Sequence, residues 1–411
     1  MARKILVNGG IFETRLALCD DDRLLEICHL PLGAAHGFDD LAMPSRIAGK
    51  ALAGQVYLGR VVHVAKPMGA AFVDLGEGEN GFLPLSTRPR KQTGSSSPFP
   101  HEGEALMVQV IKEAVGEKGP RLSTRIQPEL AARLAENQSK PPCLLHAGRG
   151  ALCAAIEKMA GQERVERIIV DHPAAFALVR QRGPGWAVKC LQRAMPGDLF
   201  ATAGLEEQIE AARSPVCDLP GGGSLIFEAT SAFMAIDVNA GSMQAGNLRE
   251  KVNLEAARAI PHELRLRGIG GQIVIDFLAL KDNSAWARVT AALKHGLNAD
   301  PALTRLEKIS RGGLLAITRE RRFAPLNLPV PPAVTPRSAA ETANEILREL
   351  QRNARHRAGR QMRVRAAPAV ITWLERQPEL RDVLMRELGI APLWLPLDGA
   401  ENSYFEIFED T

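Results

Sequence analysis

The sequence has few cysteines, no long apolar run and no strong excess of either charge. Its six cysteines are scattered, and no two of them form a CxxC pair. This spacing argues against a zinc site built from cysteines. No stretch approaches the roughly 18 apolar residues of a membrane-spanning helix, and the apolar run near the amino terminus is too short for a signal peptide. We therefore expect a cytoplasmic protein without a membrane span.

The composition is that of a soluble globular protein. Of the 411 residues, 45% are hydrophobic and 24% are charged, which is ordinary for such proteins. The length allows two to four domains. The net charge of +4 is too small to indicate the kind of partner by itself.

The most informative stretch runs from residue 233 to residue 280. It contains an aliphatic strand pattern (FMAIDVN), a helical pattern (NLEAARAIPHELRLR) and a second strand pattern (QIVIDFLAL). A strand–helix–strand unit of this length normally forms two parallel strands. Asp237, Asn239 and Asp276 would then converge at the carboxyl edge of the sheet, where open α/β sheets usually bind ligands.

Two carboxylates placed side by side repel each other unless a cation lies between them. Mg²⁺ suits such a site because it binds few protein carboxylates and keeps several waters or phosphate oxygens. The alternative is that each aspartate only caps a strand end. We favour that interpretation for one aspartate of this kind but not for two in the same crossover.

Residues 52–125 have the pattern of a small closed β-barrel of the OB type. Short strands are interrupted by glycines and show no helical period. Phe72 and Phe82 lie near strand ends, with Lys112 and Lys118 further on. Aromatic and basic residues on such a barrel bind single strands by base stacking and phosphate attraction. The alternative is that both phenylalanines belong to the core, which would be the better interpretation for either one alone.

Two further features have open interpretations. Asp171 follows an aliphatic run and is a third candidate acid, although a structural role is favoured. Basic residues after the second aspartate strand could bind phosphate or form a solvated helix face; they are Lys308, Arg311, Arg319, Arg321 and Arg322.

Several long motifs occur together in a characteristic order. They are AGQVYLGRVVHV and GAAFVDLGEGENGFLPL in the barrel segment, then LPGGGSLIFEAT, IDVNAG, NLEAAR, LRLRGIGGQIVIDF and ISRGGLLAITRER. On the basis of these motifs, most of residues 1–325 resembles the catalytic region of the ribonuclease E/G family. The carboxyl-terminal segment resembles the family more loosely.

The resemblance implies specific roles. Asp237 and Asp276 match the two metal-binding aspartates, and Asn239 matches the asparagine that hydrogen-bonds the scissile phosphate. Phe72, Phe82 and Lys118 match the barrel residues that hold the RNA. The implied activity is Mg²⁺-dependent endonucleolytic cleavage of single-stranded RNA to 5′-phosphate and 3′-hydroxyl ends, with Mn²⁺ as an alternative ion. The arginines at 311–322 would stabilise the transition state, so we add Arg311, Arg319 and Arg321 to the expected RNA-binding residues. Lys112 is added as a basic residue of the barrel.

The resemblance also implies a multi-domain α/β (α+β) fold. An RNase H-like subdomain is interrupted by an S1-type OB-fold barrel and is followed by a DNase I-like catalytic subdomain. The expected boundaries are 1–38 with 128–215 for the RNase H-like subdomain, 39–127 for the barrel, 216–322 for the catalytic subdomain, 323–336 for a proline-rich linker and 337–411 for a small carboxyl-terminal α/β domain.

The sequence departs from the family in three places. The linker has no cysteine where the family carries a CPxC zinc link, so zinc and oligomers joined through zinc are not expected. Only residues 126–140 separate LSTR from PPCLL. We therefore expect the 5′-sensor to be absent and the activity to be insensitive to the 5′-phosphorylation state. The loop between Asn239 and Asn253 is shorter than in typical members.

Three functions are compared on this basis. The first is a Mg²⁺-dependent endoribonuclease that cuts single-stranded RNA. The second is a catalytically inactive S1-domain RNA-binding protein, against which the intact DVN and VIDF motifs argue. The third, a nuclease acting on DNA, is weaker because the sequence does not show what reads the 2′-hydroxyl group.

Overall fold

The structure of the chain is a computed structural model. It describes all residues except 1–2, 11–12, 32–50, 52–53, 77–78, 86–99, 113–118, 136–139, 147–150, 162, 195–197, 242–247, 311, 327–337, 355–361, 378–379 and 410–411. Lys118, Arg311 and most of the expected linker therefore lie outside the described residues.

The described chain contains both strands and helices, as expected for a mixed α/β protein. The strands are β1 (Arg3–Gly9), β2 (Glu13–Asp20), β3 (Arg23–Pro31), β4 (Val56–Ala65), β5 (Ala70–Asp74), β6 (Gly81–Pro84), β7 (Ala105–Lys112), β8 (Arg121–Ser123), β9 (Cys143–His146), β10 (Val165–Val170), β11 (Leu191–Arg193), β12 (Val216–Asp218), β13 (Ser224–Ala229), β14 (Met234–Asn239), β15 (Gly271–Asp276), β16 (Thr304–Leu306), β17 (Leu314–Arg319), β18 (Met362–Ala366), β19 (Leu393–Pro396) and β20 (Phe405–Glu409). The helices are α1 (Pro128–Ala135), α2 (Ala151–Ala160), α3 (Pro173–Arg182), α4 (Gly185–Lys189), α5 (Leu199–Thr202), α6 (Leu205–Arg213), α7 (Leu248–Leu266), α8 (Asn283–Asn298), α9 (Ala339–Ala354), α10 (Pro368–Glu375) and α11 (Leu380–Leu388), with a 3₁₀ turn at Lys66–Met68.

The chain forms two compact units, each assembled from more than one segment of the sequence. The first comprises residues 1–29, 158–173 and 190–411, and the second comprises residues 30–157 and 174–189. The domain boundaries expected from the sequence stay predictions.

The first unit contains a five-stranded sheet with the order β11-β10-β1-β2-β3. The amino-terminal hairpin supplies β1 and β2, and β10 returns much later to pair parallel with β1. The amino-terminal strands thus begin a sheet that a much later segment completes.

The second unit contains a closed barrel made of β4, β5, β6, β8 and β7, because β4 pairs with both β5 and β7. Its interior holds aliphatic side chains around Tyr57, Val73 and Leu122. Glycine permits the closure at β6: a Cβ on Gly81 would lie 2.5 Å from Leu122 Cδ1. The expected closed barrel is confirmed.

A second sheet of the first unit has the order β12-β13-β14-β15-β17-β16. Helices α7 and α8 pack on its apolar face, around Ile236, Ile275 and Trp286. Pro261 lies inside α7 and does not split it. The proline ring packs on α8, where a Cβ at Gly296 would lie 2.6 Å from Pro261 Cγ.

The carboxyl-terminal segment forms a three-stranded sheet, β19-β18-β20, with helices α9, α10 and α11 nearby in the chain. Helix α9 also reaches the amino-terminal sheet: Arg348 pairs with Glu13, and Gln351 Nε2 donates to the Gly9 carbonyl at 3.3 Å. Burial would raise the pKa of Glu13, but its hydrogen bond with His29 and the charge of Arg348 lower that pKa well below its usual value.

Candidate active site

Asp237 and Asp276 are direct partners on neighbouring parallel strands. Each is aligned with the other in the β14–β15 register, at the carboxyl end of its strand. Aligned residues of neighbouring strands point to the same face and have Cα atoms about 4.8 Å apart. The predicted crossover therefore brings the two carboxylates together.

Strand alternation decides which face carries the acids. In β14, Ile236 and Val238 are buried while Asp237 and Asn239 are exposed. In β15, Ile275 is buried and Asp276 is exposed. The aliphatic face is covered by α7 and α8, so the two acids stand on the open face of the sheet.

Asp237 is affected by the negative charges around it. The pKa of Asp237 is raised, first by partial burial and then by the negative charges of Asp276 and Glu228. Glu228 lies on β13, which pairs with β14. Bringing these acids together is unfavourable in the absence of a cation, which is the behaviour expected of a metal-binding pair.

Asn239 is held in a defined orientation beside the acids. Its Oδ1 accepts a hydrogen bond from the Gly241 N–H at 2.9 Å. Gly241 has a φ of +62°, a conformation that glycine adopts readily. This hydrogen bond fixes the orientation of the amide. Its Nδ2 group, the only donor of the side chain, can then donate to a phosphate oxygen.

The donor set fits a hydrated divalent cation. Among the described residues, no group of three or more His, Cys, Asp or Glu side chains is arranged to hold a metal. Two exposed carboxylates with space for water match the way Mg²⁺ is held by one or two carboxylates. If the ion binds, Asp237 and Asp276 are its ligands from the chain.

The basic cluster expected near the acids is divided by strand β17. Leu314 begins this strand as the partner of Asp276, whereas Arg319 ends it as the partner of Gly271. Five residues of extended chain separate these ends by roughly 17 Å. Arg319 therefore lies at the edge of the sheet opposite the acid pair.

Arg319 is a buried structural residue. Its side chain is 2% exposed, its Nε lies 2.7 Å from Asp300 Oδ2, and it also donates to the Ile269 carbonyl. Arg322 pairs with Glu26 at 2.9 Å. Arg321 is exposed and donates to the Gly270 carbonyl at 3.3 Å, at the same far edge of the sheet. This geometry does not support Arg319 and Arg321 as residues that contact RNA at the acids, and an RNA-binding role of Arg321 elsewhere stays a prediction.

Asn253 supports the site in a way that the sequence pattern did not indicate. The pattern predicts a helix beginning at Asn253, but α7 begins at Leu248 and Asn253 is fully buried inside it. Its Nδ2 donates to the Leu278 carbonyl at 2.8 Å, and its Oδ1 accepts from the Leu278 N–H at 3.0 Å. An asparagine inside an amphipathic helix is unusual, and this feature of the sequence could have indicated a side chain that hydrogen-bonds to the main chain.

Asp171 directly follows β10, a strand of the sheet that does not carry the acid pair. It is 3% exposed, and it accepts hydrogen bonds from Asn8 Nδ2 at 2.7 Å and the Gly9 N–H at 2.8 Å. Burial raises its pKa, and these hydrogen bonds oppose the shift. The structural role favoured for Asp171 agrees with these contacts.

On the barrel, Phe72 and Phe82 are partners on β5 and β6. Their rings meet edge to face with centroids 5.9 Å apart, and both side chains are half-buried. Lys112 ends β7 and is exposed. Partly exposed rings beside a basic residue match the way OB folds bind single strands.

These features define an α/β protein that combines an acidic site at a sheet edge with an OB-type barrel. Comparison with known proteins agrees on both parts. Residues 50–125 match the S1 RNA binding domain, and residues 121–322 match the Ribonuclease E/G family. Residues 121–322 belong to the ribonuclease E/G family.

Its relatives carry names from the same family. The chain is similar to ribonuclease E of Haemophilus influenzae, with 28% identity over 78% of this chain and 42% of the relative. It is 27% identical to ribonuclease G of the same organism, covering 91% of this chain and 92% of that protein. A chloroplastic ribonuclease E/G-like protein of Arabidopsis thaliana is 37% identical over 44% of this chain and 19% of its own length.

The chain spans 42%, 37% and 53% of the three ribonuclease E proteins from Haemophilus influenzae, Escherichia coli and Synechocystis, respectively. In the part of the chain that the structure describes, every helix is too short or too polar to cross a membrane.

Proposed function

We propose that the chain is a metal-dependent endoribonuclease that cleaves single-stranded RNA. The observation that carries the proposal is the direct pairing of Asp237 with Asp276 at one edge of the sheet. The match to the ribonuclease E/G family over residues 121–322 supports the same activity. The S1 match over residues 50–125 supports RNA as the bound polymer.

Each group of the site has a role in this proposal. Asp237 and Asp276 hold Mg²⁺, and the Asn239 amide donates to a non-bridging oxygen of the scissile phosphate. A bound Mg²⁺ would polarise a water and neutralise charge on the phosphate. Phe72 and Phe82 stack on unpaired bases. The products are a 5′-phosphate and a 3′-hydroxyl.

The fold assignment and the 5′-end behaviour belong to the same proposal. We assign the β11-β10-β1-β2-β3 sheet to the RNase H-like subdomain and the β12–β17 sheet to the DNase I-like subdomain; the strand orders support this assignment. The short segment between β8 and β9 supports loss of the 5′-sensor, so cleavage should not depend on the 5′-phosphorylation state.

The experiment is a cleavage assay with the full chain and one unstructured RNA, carrying either a 5′-triphosphate or a 5′-monophosphate. We expect cleavage with Mg²⁺, no cleavage with EDTA, equal rates on both RNAs, and product fragments that a 5′-phosphate-dependent exonuclease degrades. Binding without cleavage in Mg²⁺ would favour the inactive RNA-binding alternative. A rate at least tenfold higher on the monophosphate would contradict the loss of the sensor.

A further inference from the structure

A row of aligned residues crosses every strand of the barrel. The register gives one partner after another, and the rings come first and the basic residues last: His63 on β4, Phe72 on β5, Phe82 on β6, Arg121 on β8 and Lys112 on β7. Aligned residues of paired strands share a face. We call this set the barrel row.

Two bulges place the ends of the row on the outer surface. The β4–β5 register shifts between Val61 and His63. Val61 is buried and Val62 is 48% exposed, so regular alternation would turn His63 inward, yet His63 is exposed. A bulge changes the direction of the following side chain in this way.

The same device occurs at the other end of the row. The β7–β8 register shifts between Val110 and Lys112. Val110 is buried, whereas Ile111 and Lys112 are both exposed. Both bulges thus act on members of the same row, His63 and Lys112, which are both exposed.

His63 extends the aromatic part of the row by one ring. Its imidazole stacks on Phe72, with centroids 6.4 Å apart and an angle of 21° between the planes. Phe72 in turn contacts Phe82, so the rings form a continuous series across three strands.

The imidazole of His63 is held by Glu102. His63 Nδ1 lies 3.1 Å from Glu102 Oε1, and the same oxygen accepts a hydrogen bond from the Val64 N–H at 3.2 Å. A carboxylate fixed by the main chain limits rotation of the ring. Holding a ring before binding reduces the entropy lost when a base stacks on it.

We propose that His63 is a third base-stacking residue, which makes the barrel platform three strands wide. The proposal rests on the proposed function only in taking single-stranded RNA as the ligand. Each ring offers a flat face to an unpaired base, and stacking of this kind tolerates any base. The basic end of the row then lies where the phosphates of the next nucleotides can reach it.

The test measures binding of the full chain to a fluorescent, unstructured 12-nucleotide RNA in EDTA. His63→Ala should raise the Kd by about 5- to 100-fold, since the loss of one base–aromatic stack weakens binding by roughly this factor. The slope of log Kd against log salt should not change, because no phosphate contact is lost. His63→Phe should restore most of the affinity, which a purely electrostatic role would not allow.

His101→Ala is the matched control, because His101 is an exposed histidine of the same unit outside the row. Circular dichroism confirms that each variant is folded. Wild-type affinity in His63→Ala, or no rescue by His63→Phe, overturns the proposal. The binding assay in EDTA does not depend on a cation and therefore tests His63 independently of cleavage. A chain that binds RNA through His63 but does not cleave it in Mg²⁺ would contradict the nuclease assignment without contradicting the stacking role of His63.

Discussion

Asn253 holds the main chain of Leu278 from both sides. The amide donates to the Leu278 carbonyl and accepts from its N–H, at 2.8 and 3.0 Å. Leu278 lies two residues after Asp276, so this contact fixes the chain where the second acid leaves its strand. Helix α7, which forms the crossover, therefore also positions the end of β15.

Asn253→Ala should reduce both stability and activity. It leaves a main-chain donor and acceptor without their partner, which costs about 1–3 kcal/mol for each group that stays buried. Chemical unfolding measures the first effect. The second is a lower kcat, because Asp276 loses its fixed position; the KM should change less. Lys251→Ala, on an exposed position of the same helix, is the control, and equal kcat values in the two variants would contradict a positioning role.

Mg²⁺ should stabilise the wild-type protein and should not stabilise Asp237→Asn or Asp276→Asn. An ion that binds the folded chain alone raises its stability by RT ln(1 + [L]/Kd), about 2.7 kcal/mol at 100 times the Kd. Thermal unfolding with and without Mg²⁺ at pH 7 measures the difference. Glu320→Gln, an exposed acid at the opposite edge of the sheet, should respond like the wild type. An equal Mg²⁺ response in all four proteins would exclude the acid pair as the ligands.

Asp237→Asn should not destabilise the protein when Mg²⁺ is absent. The raised pKa of Asp237 means that its ionised form is less favourable in the folded state than in the unfolded state. The protonated form therefore favours folding below the unfolded pKa, and this benefit disappears as the pH rises through the folded pKa. At pH 7 the neutral amide removes an unfavourable charge, so unfolding in EDTA should occur at the same or a higher denaturant concentration.

His262 should make the protein sensitive to mild acid. Burial, followed by the positive charge of Arg23, lowers its pKa to about 4, whereas an unfolded histidine titrates near about 6.5. Between these values the unfolded chain binds the extra proton, so stability is complete above about pH 6.5 and falls as the pH decreases towards 4. His262→Gln should flatten this part of the curve by roughly 1–3 kcal/mol; parallel curves for the two proteins would contradict it.

Arg319→Gln should unfold more easily without a specific loss of RNA affinity. Arg319 and Asp300 are both buried, and removing one member of such a pair typically costs about 3–5 kcal/mol. The double variant Arg319→Leu with Asp300→Leu should recover part of this loss because it leaves no unpaired charge. A folded Arg319→Gln protein with weaker RNA binding would restore Arg319 as a contact residue.

Arg121→Gln should reduce the salt dependence of RNA binding. Loss of one phosphate contact lowers the slope of log Kd against log salt by about 1, and it should weaken binding to all sequences alike. Arg133→Gln, on the exposed part of helix α1, should leave the slope unchanged. An unchanged slope in Arg121→Gln would show that the basic end of the barrel row does not touch phosphate.

The acid pair could be predicted from sequence because local patterns determine it. Alternating aliphatic residues fix the face of each strand, and a crossover helix makes the strands parallel, so Asp237 and Asp276 must meet if their strands are neighbours. Phe72 and Phe82 could be found for a similar reason, since each lies in a short strand of a glycine-rich barrel pattern.

Other features depend on information that a single sequence does not carry. Arg319 lies close to Arg311 in sequence, but an extended strand lies between them, and its buried partner Asp300 could not be identified. His63 was missed because a bulge breaks the alternation that assigns a residue to a face. Asn253 looked like a helix cap because the pattern of α7 before it is weak.

Cleavage of one unstructured RNA by the wild type, Asp237→Asn and Asp276→Asn, with RNA binding measured in parallel, tests the central claim most directly. We predict that both variants bind RNA like the wild type and cleave it at least about 1,000-fold more slowly in Mg²⁺, a loss equivalent to about 4 kcal/mol of transition-state stabilisation. Wild-type cleavage by either variant would contradict the assignment of the acid pair as the catalytic metal site.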